Sequence, residues 1–131
     1  MSDASNNAMN PELKSWMREQ LDAAVSTLNE KQVFDDALVE SRPAWVLPMQ
    51  ILLGKARAHN DPLVYQWFIR GDVPFDHIDS SAAATPREAL RHFAMKWQIT
   101  AESLDKKSAE SLIGDAERLY DLTEDDRFWT A

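Results

Sequence analysis

The apolar residues between Leu13 and Leu28 recur every three or four positions, as they do on one face of an amphipathic helix. This stripe consists of Leu13, Trp16, Met17, Leu21, Ala24, Val25 and Leu28. Asn10 and Pro11 precede it and suit an N-cap and a first helical position. The pattern predicts a helix over residues 11–31, and we expect residues 1–10 to be a disordered leader.

The next segments favour extended structure. Residues 33–40 are interpreted as a short helix or an irregular connector, whereas Pro43 and Pro48 push the residues before them away from helical dihedral angles. Residues 42–48 should therefore be extended. The run 49–58 fits helical spacing and strand alternation equally well, so both alternatives stay open from its own pattern.

The sequel to this run favours the strand. Residues 59–62, with the sequence His-Asn-Asp-Pro, are typical of a turn, and residues 63–69 are rich in β-forming side chains. We therefore predict a β-hairpin that pairs residues 50–58 with residues 63–70. After it, residues 70–81 are interpreted as a polar loop hinged on Gly71 and Pro74.

Two further helices are predicted in the last third of the chain. Thr85, Pro86 and Glu88 supply a cap, a first-turn proline and a reciprocal glutamate, so a helix begins there. Its buried stripe should consist of Leu90, Phe93, Ala94 and Trp97. A last helix should start near Thr100 or Asp105, and the acidic residues at its end favour fraying.

These elements predict an α+β fold in one domain over residues 11–131, with helices packed on a small antiparallel sheet built around the hairpin. A two-stranded hairpin alone is marginally stable in water. A third strand from residues 44–48, or one from a second copy of the chain, should therefore extend the sheet.

The hairpin and the loop after it carry a sequence motif. Its residues are Trp67, Ile69, Gly71, Asp72, Pro74 and Asp76, in the pattern W-x-I-x-G-D-x-P-x-D, and Pro-Arg-Glu-Ala follows at residues 86–89. Together with Pro43-Ala44-Trp45 upstream, this segment resembles a family of small bacterial proteins classed as a domain of unknown function. The resemblance covers residues 43–97 and implies a cytoplasmic bacterial protein with this α+β core and no assigned activity. His77 stands where the family leads us to expect tyrosine, and Leu53 where it leads us to expect tryptophan.

Composition restricts the chemistry of the 131-residue chain. It has no cysteine, which removes thiol nucleophiles and thiolate metal sites, and its three glycines are too few for a phosphate-binding loop or dinucleotide fingerprint. The net charge of −8 disfavours nucleic acid and anionic membranes as partners. The sequence shows no membrane span and no secretion signal, so we expect a cytoplasmic protein. We also expect no cofactor.

One polar cluster suggests a site. It consists of Asp72, Asp76, His77 and Asp79, followed by Arg87 and Arg91. We favour a structural latch, in which the arginines pair with the acidic residues and fasten the loop to the helix, and we assign no catalytic or metal-binding residue. The alternative is a small metal-dependent or acid–base hydrolase centred on Asp72, Asp76, His77 and Asp79.

The aromatic residues Phe128 and Trp129 lie in a charged segment near residue 131 and are candidate anchors for a partner, the alternative being packing on their own domain. The favoured hypothesis is a non-catalytic protein-interaction or regulatory module. It would bind another protein, or itself, through the sheet edge, the acidic last helix or this aromatic tail.

Overall fold

The computed structural model describes residues 10–34, 39–59 and 61–129. The predicted leader, apart from its last residue, and residues 35–38 of the predicted connector lie outside these ranges. The chain divides into two compact units, residues 1–77 and residues 78–131, and each is described by itself.

Helix α1 spans Pro11–Glu30 and begins as the sequence predicts. The side-chain oxygen of Asn10 accepts a hydrogen bond from the N–H of Leu13 at 2.7 Å. At the other end Gln32 has a positive φ of 54°. The N–H of Val33 donates to the carbonyl of Leu28 at 3.1 Å, which closes the helix in a Schellman-type turn.

Four strands form one sheet in the order β1-β2-β3-β4: β1 is Val39–Leu47, β2 is Ile51–Ala58, β3 is Asp61–Gly71 and β4 is Asp76–Asp79. The antiparallel β2–β3 pair confirms the predicted hairpin, and β1 supplies the third strand. The interpretation of residues 70–81 as a loop throughout was wrong, because β4 lies within it. The signal for β4 was weak, since only Ile78 of its four residues is both apolar and buried.

Strand β2 is one of the two inner strands of the sheet, and its apolar residues are buried on both faces. Leu52, Ala56 and Phe68 pack against Ala24 and Leu28 of α1 in one cluster. A strand buried on both faces shows a continuous apolar run rather than alternation, which explains why residues 49–58 also fitted helical spacing.

The turn between β1 and β2 places a bulky residue in a left-handed conformation. Pro48 occupies the second position of this turn, Met49 the third with φ of 62°, and the N–H of Gln50 donates to the carbonyl of Leu47 at 2.9 Å. This is the geometry of a type II turn, which normally has glycine or asparagine where Met49 lies.

The unit of residues 78–131 contains helices α2, Pro86–Ala101, and α3, Lys106–Glu124, with short 3₁₀ turns at Ser80–Ala82 and Asp126–Phe128. Thr85 caps α2 as predicted, because its hydroxyl accepts from the N–H of Glu88 at 3.2 Å. Glu88 accepts in turn from the N–H of Ala84 at 2.9 Å. Asp105 caps α3, and the predicted stripe of α2 is buried. The predicted α+β class is confirmed.

Candidate protein-interaction site

The sharp bend after β3 is fixed by its backbone. Gly71 has φ of 123°, and a Cβ at this position would meet the backbone carbonyl of Gln50. The N–H of Asp72 donates to that same carbonyl oxygen at 2.6 Å. Glycine is therefore required here both by conformation and by space.

After this bend, Asp76, His77 and Asp79 each form hydrogen bonds with other residues of the chain. The carboxylate of Asp76 accepts from the N–H of His77 at 2.8 Å, and Nδ1 of His77 lies 3.0 Å from Oε1 of Gln66. Asp79 caps the 3₁₀ turn by accepting from the N–H of Ser81 at 2.9 Å and from its hydroxyl at 2.5 Å. These bonds from Ser81 lower the pKa of Asp79.

Within residues 10–34, 39–59 and 61–129, no three Asp, Glu or His side chains lie together as the ligands of a metal ion would. The bonds of Asp76 and Asp79 to nearby N–H groups match a structural role for these two carboxylates.

Arg87 and Arg91 on α2 reach the C-terminal end of α3. Nε of Arg87 donates to the carbonyl of Thr123 at 2.8 Å, and its guanidinium bonds to Asp126 at 2.7 Å. Arg91 pairs with Glu124 at 3.0 Å. These cations lie where the helix dipole is negative, and they offset the acidic excess from which we expected fraying. Pairing of these arginines with Asp72 and Asp76 stays a prediction.

The aromatic tail folds back on α3. Nε1 of Trp129 donates to the carbonyl of Leu122 at 2.9 Å, and the side chain is half-buried. Arg127 pairs with Asp125 at 2.7 Å, which lowers the pKa of that carboxyl. Phe128 is 37% exposed. A role for Phe128 and Trp129 as partner anchors stays a prediction, and Trp129 already uses its N–H within its own unit.

A concave surface with a volume of about 950 Å³ lies between α1 and β1, in the unit of residues 1–77. We call it the α1–β1 groove. Its apolar lining comes from Met17, Leu21 and Val25 of α1 and from Val39 and Pro43 of β1. The charged residues around it are Lys14, Arg18, Asp22 and Glu40. An apolar floor with a polar rim is the composition of a protein-binding surface.

β1 is an edge strand, because the sheet order places it at one end. Its side chains alternate between the two faces of the sheet. On the groove side, the hydroxyl of Ser41 donates to the carbonyl of Leu21 at 3.3 Å. Glu40 lines both the groove and the opposite face of the sheet, where it accepts from Arg57 at 2.6 Å, and this bond lowers the pKa of Glu40.

The face of the sheet that carries Glu40 also has a small basic pocket of about 230 Å³, lined by Glu40, Arg42, Lys55, Arg57 and Tyr65. The ammonium of Lys55 lies 4.7 Å from the ring centroid of Tyr65 and 4.8 Å from that of Trp67. These distances are within the range of cation–π contacts. The edge of an acidic chain therefore has a locally basic face.

The sequence predicted the sheet edge as an interaction surface but did not predict the groove beside it. A usable signal was the alternation Val-Glu-Ser-Arg-Pro at residues 39–43, which is typical of a strand with one covered face. The interpretation of residues 33–40 as helix or connector obscured it. The α1 wall was visible only as the wide apolar stripe that contains Met17, Leu21 and Val25.

Residues 11–129 match the family described as a domain of unknown function (DUF4826), and the chain belongs to this family. The predicted relationship to a family of unknown function is thereby confirmed. Comparisons with curated proteins and with solved structures find no match. Among the helices described, none has the length and apolar character needed to cross a bilayer.

Proposed function

We propose that this chain is a non-catalytic protein-interaction module, and that its binding site is the α1–β1 groove. The observation that carries the proposal is the combination of an edge strand with a neighbouring helix that keeps Met17, Leu21 and Val25 only half-buried. An extended segment of a partner can add to the edge of β1 and place alternate side chains in the groove. We expect the module to act in the bacterial cytoplasm.

The chemistry of the other surfaces favours this function over the hydrolase alternative. Asp76 and Asp79 hold backbone N–H groups, and the cluster from Asp72 to Asp79 has no metal-ligand grouping among the described residues. The net charge of −8 also opposes binding to nucleic acid.

Site-specific photocrosslinking in the native host tests the proposal. A photoreactive residue replaces Lys14, an exposed residue that lines the groove, and in a matched control it replaces the exposed Lys107 on α3. We expect a discrete protein adduct from position 14 and none from position 107. Equal adducts at both positions, or no adduct at position 14, would contradict the proposal.

A further inference from the structure

We infer that the occupant of the α1–β1 groove is a second copy of this chain, an inference that rests on the proposed function. In this dimer the two β1 strands pair antiparallel about a two-fold axis through Ser41. The sheets of the two copies then continue into each other across the axis.

The charges of β1 are self-complementary about Ser41. Glu40 and Arg42 flank it and share one face of the sheet, since residues two apart in a strand do so. A two-fold axis through Ser41 places Glu40 of each copy opposite Arg42 of the second copy, so the pair forms twice. Arg57 bonds to Oε1 of Glu40, which leaves Oε2 to accept from the second copy.

The backbone of β1 supports the same register. Pro43 has no N–H, and strands accommodate proline where its nitrogen faces away from the neighbouring strand. Backbone groups alternate in direction along a strand, so those of Val39 and Ser41 also face outward, away from β2. Across the proposed axis Ser41 pairs with Ser41 of the second copy, and Val39 donates to the carbonyl of Pro43 of that copy.

Helix α1 has a matching arrangement of charge. Arg18 and Asp22 lie on either side of the half-buried Leu21 and both line the groove. The bond from the Ser41 hydroxyl to the carbonyl of Leu21 places the middle of this helix segment beside the middle of the strand. An axis near both brings Arg18 of one copy towards Asp22 of the second copy, while the apolar groove residues of the two copies meet.

The sequence also limits pairing to this partner. The register of β1 with β2 shifts between Pro43 and Trp45, so the regular edge ends there. Bulges and charges on edge strands oppose unspecific pairing. In β1 the charges are opposite and two residues apart, so the registers centred on Glu40 or on Arg42 place like charges opposite each other, whereas the register centred on Ser41 pairs opposite charges.

Disulfide trapping tests the register, since the chain contains no native cysteine. Glu40→Cys and Arg42→Cys variants are prepared singly and then mixed under mild oxidation. Position 40 of one variant faces position 42 of the other, so the mixture should yield a crosslinked dimer. Each variant alone should not, because identical positions are about 8 Å apart in this register, beyond the reach of a disulfide.

Charge reversal tests the dimer by mass. We expect sedimentation of the wild-type protein to show a dimer that dissociates on dilution. Arg42→Glu converts both attractive pairs to repulsion and should weaken the dimer at least about tenfold. The matched variant Lys107→Glu, with the same charge change on α3, should dimerise as the wild type does.

The outcomes separate the two proposals. A monomer at every concentration, or a dimer that survives Arg42→Glu and gives no mixed disulfide, overturns the inferred dimer. The proposed function then stands if position 14 still crosslinks to a different protein in the host. If position 14 gives no adduct at all, both proposals fall.

Discussion

The sheet unit, residues 10–77, and the helical unit, residues 78–129, use glycine in opposite ways. In the sheet unit a Cβ on Gly54 would overlap the ring of Phe68 on the neighbouring strand and approach the carbonyl of Arg42 to 2.9 Å. In the helical unit a Cβ on Gly114 would meet nothing within 4 Å. The packing of the sheet unit therefore depends on close contacts between neighbouring strands. The helical unit has no such contact at its glycine, and its helices are fixed by caps and by side chains that bond to the end of α3.

The largest expected effect is that of Gly54→Ala. Because the ring of Phe68 and the carbonyl oxygen of Arg42 leave no space for a methyl group, the substitution should lower the free energy of unfolding by about 2 to 3 kcal/mol. Urea denaturation of the variant and the wild type measures it. A variant as stable as the wild type would show that the two strands do not approach each other this closely.

Arg87→Ala should have the next largest effect, in the helical unit. It removes the donor to the Thr123 carbonyl, which is partly buried, and should cost about 1 to 2 kcal/mol. The bond to Asp126 contributes little, because that carboxylate is 80% exposed. Thermal denaturation beside Lys107→Ala, an exposed control, gives the comparison. Equal melting temperatures for the two variants would mean that Arg87 does not secure the end of α3.

Gly114→Ala should stabilise the protein, by up to about 1 kcal/mol, because alanine is the better helix former and the site has open space. Replacing glycine by alanine is thus expected to lower the stability of the protein at position 54 and to raise it at position 114. A loss of stability would show that Gly114 has a neighbour that this geometry does not include.

The smallest effect concerns the cap of α3. Bonds from the backbone N–H and the hydroxyl of Ser108 lower the pKa of Asp105, so its charged form stabilises the folded state. This contribution is present above the unfolded pKa of aspartate, about 4, and is lost as the pH falls through the lower folded pKa. Asp105→Asn retains a capping oxygen but cannot titrate. The melting temperature of this variant should therefore fall less between neutral and acidic pH than that of the wild type does. Parallel pH profiles for the two proteins would contradict it.

The same contrast explains what the sequence could predict. Asn10 and Thr85 accept bonds from residues three positions further on, so local signals in the sequence predict the starts of α1 and α2. The cap of α3, Asp105, is one of the two starting points that the sequence left open. The C-terminal partners of Arg87 lie 36 and 39 residues away, and no local pattern in the sequence identifies them. Strand β4 was not predicted for a similar reason. Its four residues, Asp76–Asp79, have little β-forming character of their own, and the strand is recognisable only through its pairing with β3.

The candidate site was predicted less fully than the fold. The sheet edge was named as one of three interaction surfaces, but the groove arises only when α1 lies beside β1, a contact between Leu21 and Ser41 that no spacing rule gives. The acidic cluster at residues 72–79 suggested a site because its residue types are those of reactive sites. Two of its carboxylates, those of Asp76 and Asp79, accept from the N–H groups of His77 and Ser81.

Hydrogen–deuterium exchange across a dilution series tests most directly whether β1 is where a second chain binds. We predict that the amides of Val39 and Ser41, which face outward from β1, exchange more slowly as the protein concentration rises, while those of α3 do not change. Slower exchange in another segment, with the amides of Val39 and Ser41 unchanged at every concentration, would contradict this binding site.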